Sequence, residues 1–132
     1  YNEAIKKIGS NKRFIVVSDD IQWCKKNIKA INIQYIENSS QIIDFFIMTL
    51  SNNLIISNSS FSYWGAFLNE KKHKVIAPSL WFGFRHNVDT SDLLLPEYHI
   101  IKNNYSIKSY TLAFLQFVSH HINYKIKNIL SK

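Results

Sequence analysis

Short unbroken apolar runs alternate with stretches of three- to four-residue apolar spacing along the first 78 residues. The runs read as strands: Phe14 to Val17, Ile31 to Ile36, Leu54 to Ile56 and Val75 to Ala77. Phe14-Ile15-Val16-Val17 is apolar at every position, which predicts a strand covered on both faces. The same expectation of burial holds for Leu54 to Ile56 and Val75 to Ala77. The spaced stretches read as helices. Residues 1–9 place Ala4, Ile5 and Ile8 on one face and stop at Gly9. Ile21 to Ile28 predicts a short helix. Ser39 and Ser40 precede a longer one, about Gln41 to Ser51, with Ile42, Ile43, Phe46, Ile47 and Leu50 as its expected buried stripe. Phe61, Trp64 and Phe67/Leu68 form the expected apolar face of a fourth helix. Four strand–helix alternations predict parallel pairing through right-handed crossovers, hence an α/β domain.

Beyond Pro78 the pattern changes. Residues 79–98 lack periodicity and read as a long loop carrying Trp81, Phe82, Phe84, Arg85 and His86. Loops of that length tend to be functional. His99 to Ile101 reads as a short last strand. Ser109 to Leu130 reads as a helix with a basic end at Lys125, Lys127 and Lys132.

In a parallel sheet, ligands bind at the carboxyl ends of the strands. Those ends carry Ser18-Asp19-Asp20, Ser57-Asn58-Ser59-Ser60 and Pro78-Ser79. The second cluster stands between a strand and a helix. Free backbone N–H groups and the positive end of the helix dipole gather at such a turn. A helix cap needs one serine, whereas here three serines and an asparagine stand in a row. The turn is therefore read as an anion site suited to phosphate. Asp19 and Asp20 admit three roles: a carboxylate pair for a metal, acceptors for a ribose or base, or an N-cap for the following helix. Adjacent positions on an extended segment point to opposite sides, which disfavours one shared metal. His120 and His121 face different ways on their helix, and Cys24 stands in no motif. No Gly-rich phosphate loop and no His-Glu-x-x-His motif occurs. Trp81, Phe82 and Phe84 are read as core or lid residues that could stack on a sugar or base. Gly65, next to Trp64, is expected to allow close approach of a neighbouring backbone.

Composition narrows the class further. At 132 residues the chain is long enough for one domain with a core. Its apolar runs fall short of the roughly 20 residues that a membrane-spanning helix needs. The start, Tyr1 to Ile8, is amphipathic rather than a signal-peptide core. With a first residue other than Met, the chain is expected to be a cropped domain or fragment. A single cysteine excludes an internal disulfide and fits a reducing compartment. The net charge of +7 suits anionic partners such as phosphorylated small molecules, nucleic acid or anionic lipid. The paired lysines, Lys6-Lys7, Lys25-Lys26 and Lys71-Lys72, read as solvated faces.

Several motifs together resemble the alpha-1,2-fucosyltransferase family. Phe14 to Cys24 resembles its F-x-x-F-S-D-D-I-x-W segment, and Asp44 with Met48 resembles its D-x-x-x-M stretch. Ile55 to Leu68, IISNSSFSYWGAFL, is similar to the signature I-I-x-N-S-S-F-S-W-W-G-A-W-L. Val75-Ile76-Ala77-Pro78 and Trp81-Phe82 match the V-I-A-P-x-x-W-F that follows, and Tyr1 to Ile8 looks like the Y-Y-x-x-A-I helix. The likeness covers roughly residues 1–101. Tyr63 and Phe67 replace two tryptophans of the signature, Ser51 stands where cysteine is frequent, and Tyr98 where a tryptophan is frequent. The H-x-R-x-G-D-Y motif that precedes the first helix in the family is absent, and its arginine is thought to meet the donor diphosphate. A strand is expected before that motif, near the middle of a doubly wound sheet.

The resemblance implies the C-terminal half of a GT-B type glycosyltransferase. Residues 1–101 would form a Rossmann-like nucleotide-sugar-binding domain lacking its first strand, and residues 102–132 a helical tail. The implied reaction is inverting transfer of fucose from GDP-fucose to the 2-hydroxyl of a galactoside, without a metal or other cofactor. Asp19 or Asp20 would accept from guanine or ribose. Ser59, Ser60 and the Phe61 backbone would hold the diphosphate, Ser57 and Asn58 would also belong to the donor site, and Trp64, Trp81 and Arg85 would serve as lid or support. No catalytic residue is assigned within the chain. The implied partners are GDP-fucose, a galactose-terminated glycan acceptor and the missing N-terminal half, with no nucleic acid. The implied location is cytoplasmic, at the membrane periphery. Two alternatives stand beside this: a non-catalytic nucleotide- or phosphate-binding module, and a basic domain that docks on anionic lipid.

Overall fold

The computed structural model describes residues 1–82, 89–103 and 111. The chain divides into two units, Tyr1–Lys102 and Asn103–Lys132. The described secondary structure belongs to the first, apart from Thr111; the helix expected over Ser109 to Leu130 lies almost wholly outside the described residues.

Strands and helices alternate as α1 (Asn2–Ile8), β1 (Arg13–Val16), α2 (Ile21–Asn27), β2 (Asn32–Tyr35), α3 (Gln41–Thr49), β3 (Asn53–Ile55), α4 (Ser60–Phe67), β4 (Lys74–Pro78) and β5 (His99–Ile101). All pairings are parallel, which makes the unit α/β with helices flanking its sheets. β1 pairs with β2 from Arg13↔Asn32 to Val16↔Tyr35. β3 pairs with β4 at Leu54↔Val75, and β4 pairs with β5 at Ala77↔Ile100. The strands form two separate sheets, β1-β2 and β3-β4-β5. Gly9 ends α1 with φ 116°, a conformation that costs glycine little and its N–H bonds back to the Ile5 carbonyl.

Alternate residues of β3 enter different cores. Ile55 packs in a cluster of α1, α2, β1 and β2 residues built on Ile5, Cys24 and Ile28. Leu54 and Ile56 pack in a second cluster with Met48 of α3, Ala66 of α4, and Val75 and Ala77 of β4. Successive strand residues point to opposite faces. Helices α1 and α2 therefore cover one face, and α3 and α4 the other.

Three expectations of burial need correction. β1 is not covered on both faces: its exposure alternates, and Ile15 is 46% exposed. In α3 the stripe expected to be buried is largely outside, with Ile42, Ile43, Phe46 and Leu50 all exposed and Met48 buried. That helix is apolar on nearly every side, so spacing alone does not choose its inner face. In α4 the pattern is inverted. Phe61, Trp64, Phe67 and Leu68 are exposed, while Ser62, Gly65, Ala66 and the adjoining Asn69 are buried. Small inner residues let α4 lie close to α3: a Cβ on Gly65 would stand 3.0 Å from the Met48 Cβ and 2.9 Å from its Cε. The close neighbour at Gly65 is thus the Met48 side chain and not the backbone that was expected.

The join between α3 and α4 is sealed by Asn69, which is fully buried. Its Nδ2 donates to the Met48 carbonyl at 2.8 Å and the Ser51 carbonyl at 2.6 Å, while its Oδ1 accepts from the Lys71 N–H at 2.9 Å. The Met48 carbonyl at the end of α3, which also accepts from the Ser51 N–H, and the Ser51 carbonyl just past the helix both take a donor here.

Candidate functional site

The turn from β3 to α4 is built around one hydroxyl. Ser62 Oγ lies 3.0 Å from both the Ser57 and Ser59 carbonyls and 3.3 Å from Ser57 Oγ. These bonds curl residues 57–59 over the first turn of the helix, whose first N–H groups have no partner within the helix. Ser59 occupies the N-cap, yet its hydroxyl makes no capping bond. Ser60 opens the helix and is exposed. The serines thus do not act as a conventional cap. Asn58 Nδ2 donates to the Trp81 carbonyl at 3.0 Å, tying the turn to the segment after β4.

At the end of β1 the two carboxylates separate in role. Asp20 is the N-cap of α2, with Oδ1 accepting from the Trp23 N–H at 3.0 Å. Its own N–H donates to Ser18 Oγ at 3.1 Å. Asp19 is exposed, and its only described bond is a long one of 3.4 Å from Ser18 Oγ. Of the sequence alternatives, capping belongs to Asp20, and Asp19 keeps a carboxylate open to an incoming donor. No group of three or more metal-ligating side chains gathers among the described residues.

Tyr1 brings the two turns to one edge. Its ring meets Trp23, in the first turn of α2, edge-on at a centroid distance of 6.2 Å. Its hydroxyl end lies near the Ser57 side chain. Burial of that end holds the phenol pKa above its ordinary value; the nearby Cys24 thiol adds to the rise, and the Ser57 bond opposes it. The carboxyl ends of β1 and β3 therefore share an edge. Asp19, Asp20, Ser57, Ser59 and Phe61 line one cleft of about 1220 Å³ there.

The remaining sequence-named residues sort out plainly. Ser60 and Asn58 do not line that cleft. Trp64 is half-exposed on α4, its ring edge-on to Tyr63 and Phe67. Trp81 is buried in the core, where it supports the turn through its carbonyl and cannot stack on a ligand. Arg85 lies outside the described residues. Arg13 opens β1, at the sheet edge opposite Asp19, with Nη2 donating to Gln34 Oε1. Sequence reasoning missed Tyr1 and Ser62. Ser62 gives no signal beyond its place in helix spacing, and Tyr1 is distant in sequence from both residues it meets.

The family model described as Glycosyl transferase family 11 matches residues 1–102. An alpha-1,2-colitosyltransferase of Escherichia coli is 42% identical over 84 residues, which are 59% of this chain and 29% of that protein. The O-antigen biosynthesis glycosyltransferase WbnK of Escherichia coli is 36% identical over 83 residues, 59% of this chain and 28% of its own length. A galactoside 2-alpha-L-fucosyltransferase, SEC1 of Bos taurus, is 30% identical over 60 residues, 42% of this chain and 16% of the relative. The chain thus spans less than a third of the length of the curated relatives it matches. No solved structure matches it significantly. With a family match that takes in the whole α/β unit and both site turns, the chain belongs to glycosyl transferase family 11.

Proposed function

We propose that residues 1–101 are the donor-binding half of an inverting alpha-1,2-fucosyltransferase of GT-B type, taking GDP-fucose and serving a galactose-terminated glycan acceptor. The observation that carries this reading is the shared edge: an open carboxylate at Asp19 and the start of an uncapped helix, through Ser59, Phe61 and Ser62, line one cleft, with the exposed Ser60 between them in sequence. The two ends suit the two ends of a nucleoside diphosphate. Asp19 accepts from the ribose or base, and the N–H groups of Ser60, Phe61 and Ser62 with the Ser59 and Ser60 hydroxyls receive the diphosphate. Donors aimed at the leaving diphosphate stabilise the charge that develops as the glycosidic bond breaks. Asn58 and Trp81 hold the turn, and Trp64 and Arg85 serve as lid or support. The relatives' names support a fucosyl- or colitosyl-type transfer. The acceptor, the base that takes its proton, and the rest of the cleft belong to the half that precedes this unit. The reading needs no metal, and places the enzyme on the cytoplasmic side at the membrane periphery, with residues 102–132 as a helical tail.

Titration calorimetry with GDP, GMP and ADP tests the proposal. GDP is expected to bind, with GMP weaker for want of the second phosphate and ADP weaker for want of guanine. Equal affinity for GDP and ADP would reduce the site to a general phosphate-binding module, and no heat with any of the three would remove the donor reading. Residues 1–132 alone are expected to transfer no fucose; detectable transfer would contradict the division of labour between halves.

A further inference from the structure

The outer face of the α3–α4 layer is apolar and open. Ile42 and Phe46 stand one turn apart on α3, and Trp64, Phe67 and Leu68 share the side of α4 opposite Ser62 and Ala66. Phe61 joins the two stripes, its ring edge-on to Phe45 of α3 at a centroid distance of 5.5 Å. These six side chains are between 39% and 68% exposed. At roughly 200 Å² for each large side chain, about 600 Å² of apolar surface lies open, the upper limit for a typical monomer. Asp44 is the one charged residue of α3 and α4; it lines the cleft and accepts from the Ser39 hydroxyl. The Trp64 ring is held edge-on by Tyr63 and by Phe67, each at 5.4 Å.

We propose that this face binds the same face of a second copy of the chain, in a two-fold dimer that lays α3 and α4 of one protomer on α3 and α4 of the other. Three observations select this occupant. The first is area: with the atoms between the six side chains, the open surface approaches the roughly 800 Å² per partner of a stable interface. The second is self-complementarity. A face without charge has nothing to pair with the polar groups of a different protein surface, but it matches its own image, and homodimer interfaces are apolar in this way. The held Trp64 ring supplies an anchor that loses little freedom on binding. The third is the placement of charge, which suits anionic lipid poorly. Of the lysines that follow α4, Lys72 turns its Nζ to the Phe67 and Asn69 carbonyls, at 3.5 and 3.1 Å, and Glu70 adjoins Lys71. The net charge of +7 on each copy opposes the pairing, so added salt should tighten it, where a lipid contact would loosen. The inference stands apart from the donor reading, because Asp19, Ser57 and Ser59 lie outside this face.

Sedimentation equilibrium of residues 1–132 between about 1 and 500 μM tests the proposal, since interfaces of this size bind in the micromolar range or tighter. A monomer–dimer equilibrium is expected, tighter in high salt. Phe46→Glu should raise the dissociation constant by about tenfold or more, by burying a charge at the contact. Ile31→Glu, at an 87% exposed position between α2 and β2, should leave it unchanged. Hydroxyl-radical footprinting of the unaltered chain gives a second reading that no variant's folding can confuse. Phe46, Trp64 and Phe67 should become protected as concentration rises, while Trp23, 48% exposed on α2, should not. A monomer at every concentration, association that continues past the dimer, or a dimer that Phe46→Glu leaves intact would overturn the proposal. So would protection already complete in the dilute monomer, or protection that arrives only with phosphatidylserine vesicles, because the occupant would then be a different one.

Discussion

Gly65→Ala probes the contact that sets the position of α4, and with it the phosphate turn. Two effects oppose each other. Alanine is about 1 kcal/mol better than glycine within a helix. The new methyl, however, would stand 3.0 Å from the Met48 Cβ, 3.1 Å from its Sδ and 2.9 Å from its Cε. Cε and Sδ belong to a flexible side chain and can turn away. The Met48 Cβ is fixed to α3, so the helices must separate. Overpacking of this kind costs about 1–3 kcal/mol, which leaves a net loss of about 0–2 kcal/mol. Met48→Ala removes two of the three clashes while leaving the Cβ. In that background Gly65→Ala should be less harmful by about 1 kcal/mol, a coupling that a double-mutant cycle isolates. Urea unfolding of the four proteins, with midpoint and slope fitted together, gives the numbers. If Gly65→Ala raises stability by its full helix gain with Met48 in place, α4 does not lie against α3 as described.

Asn69→Ala leaves the Ser51 carbonyl without its donor, and the Met48 carbonyl with the Ser51 N–H alone, and should cost about 1–3 kcal/mol in the same assay, the cost of one buried unsatisfied group. The Tyr98 hydroxyl is buried without a hydrogen-bond partner, so Tyr98→Phe should stabilise the fold by about 1 kcal/mol. Burial first, then the Glu97 charge and Tyr63, push the Tyr98 pKa from 10.0 up to about 12. Because the folded pKa is the higher one, this contribution is complete below pH 10 and is lost as pH rises through 12; the difference between wild type and Tyr98→Phe should change across that window and not below it. Ser60→Ala should weaken GDP binding by about 1–3 kcal/mol through loss of a hydroxyl bond to a charged oxygen, measured by calorimetry.

The strand–helix order was legible because each of the first three strands is a short apolar-rich run followed by a helix-spaced segment. Even the short His99–Ile101 strand could be read. Burial was less legible, for a physical reason. Spacing shows a face only when the opposite face is polar, and α3 carries apolar residues nearly all round. In α4 the larger residues drew attention, yet the side that packs is made of Ser62, Gly65 and Ala66, where small volume permits close approach. β1 reads as doubly covered from Phe14 to Val17, but Phe14 and Val16 pack in the cluster with α1 and α2 while Ile15, on the other face, is exposed. At the site, the clustered serines and paired aspartates stood out by composition. What composition could not show was the division between a capping Asp20 and an open Asp19, or that Tyr1 meets both turns, since these depend on contacts between distant parts of the chain.

The central claim is that a guanine nucleotide diphosphate sits across the β1 and β3 carboxyl ends. Amide-resolved NMR during a GDP titration tests it most directly. The expected result is saturable shifts at the Ser60, Phe61 and Ser62 amides together with Asp19 and Asp20, all following one binding curve. Shifts confined to the basic turn at Lys71, Lys72 and Lys74, with the β3–α4 turn unmoved, would contradict it.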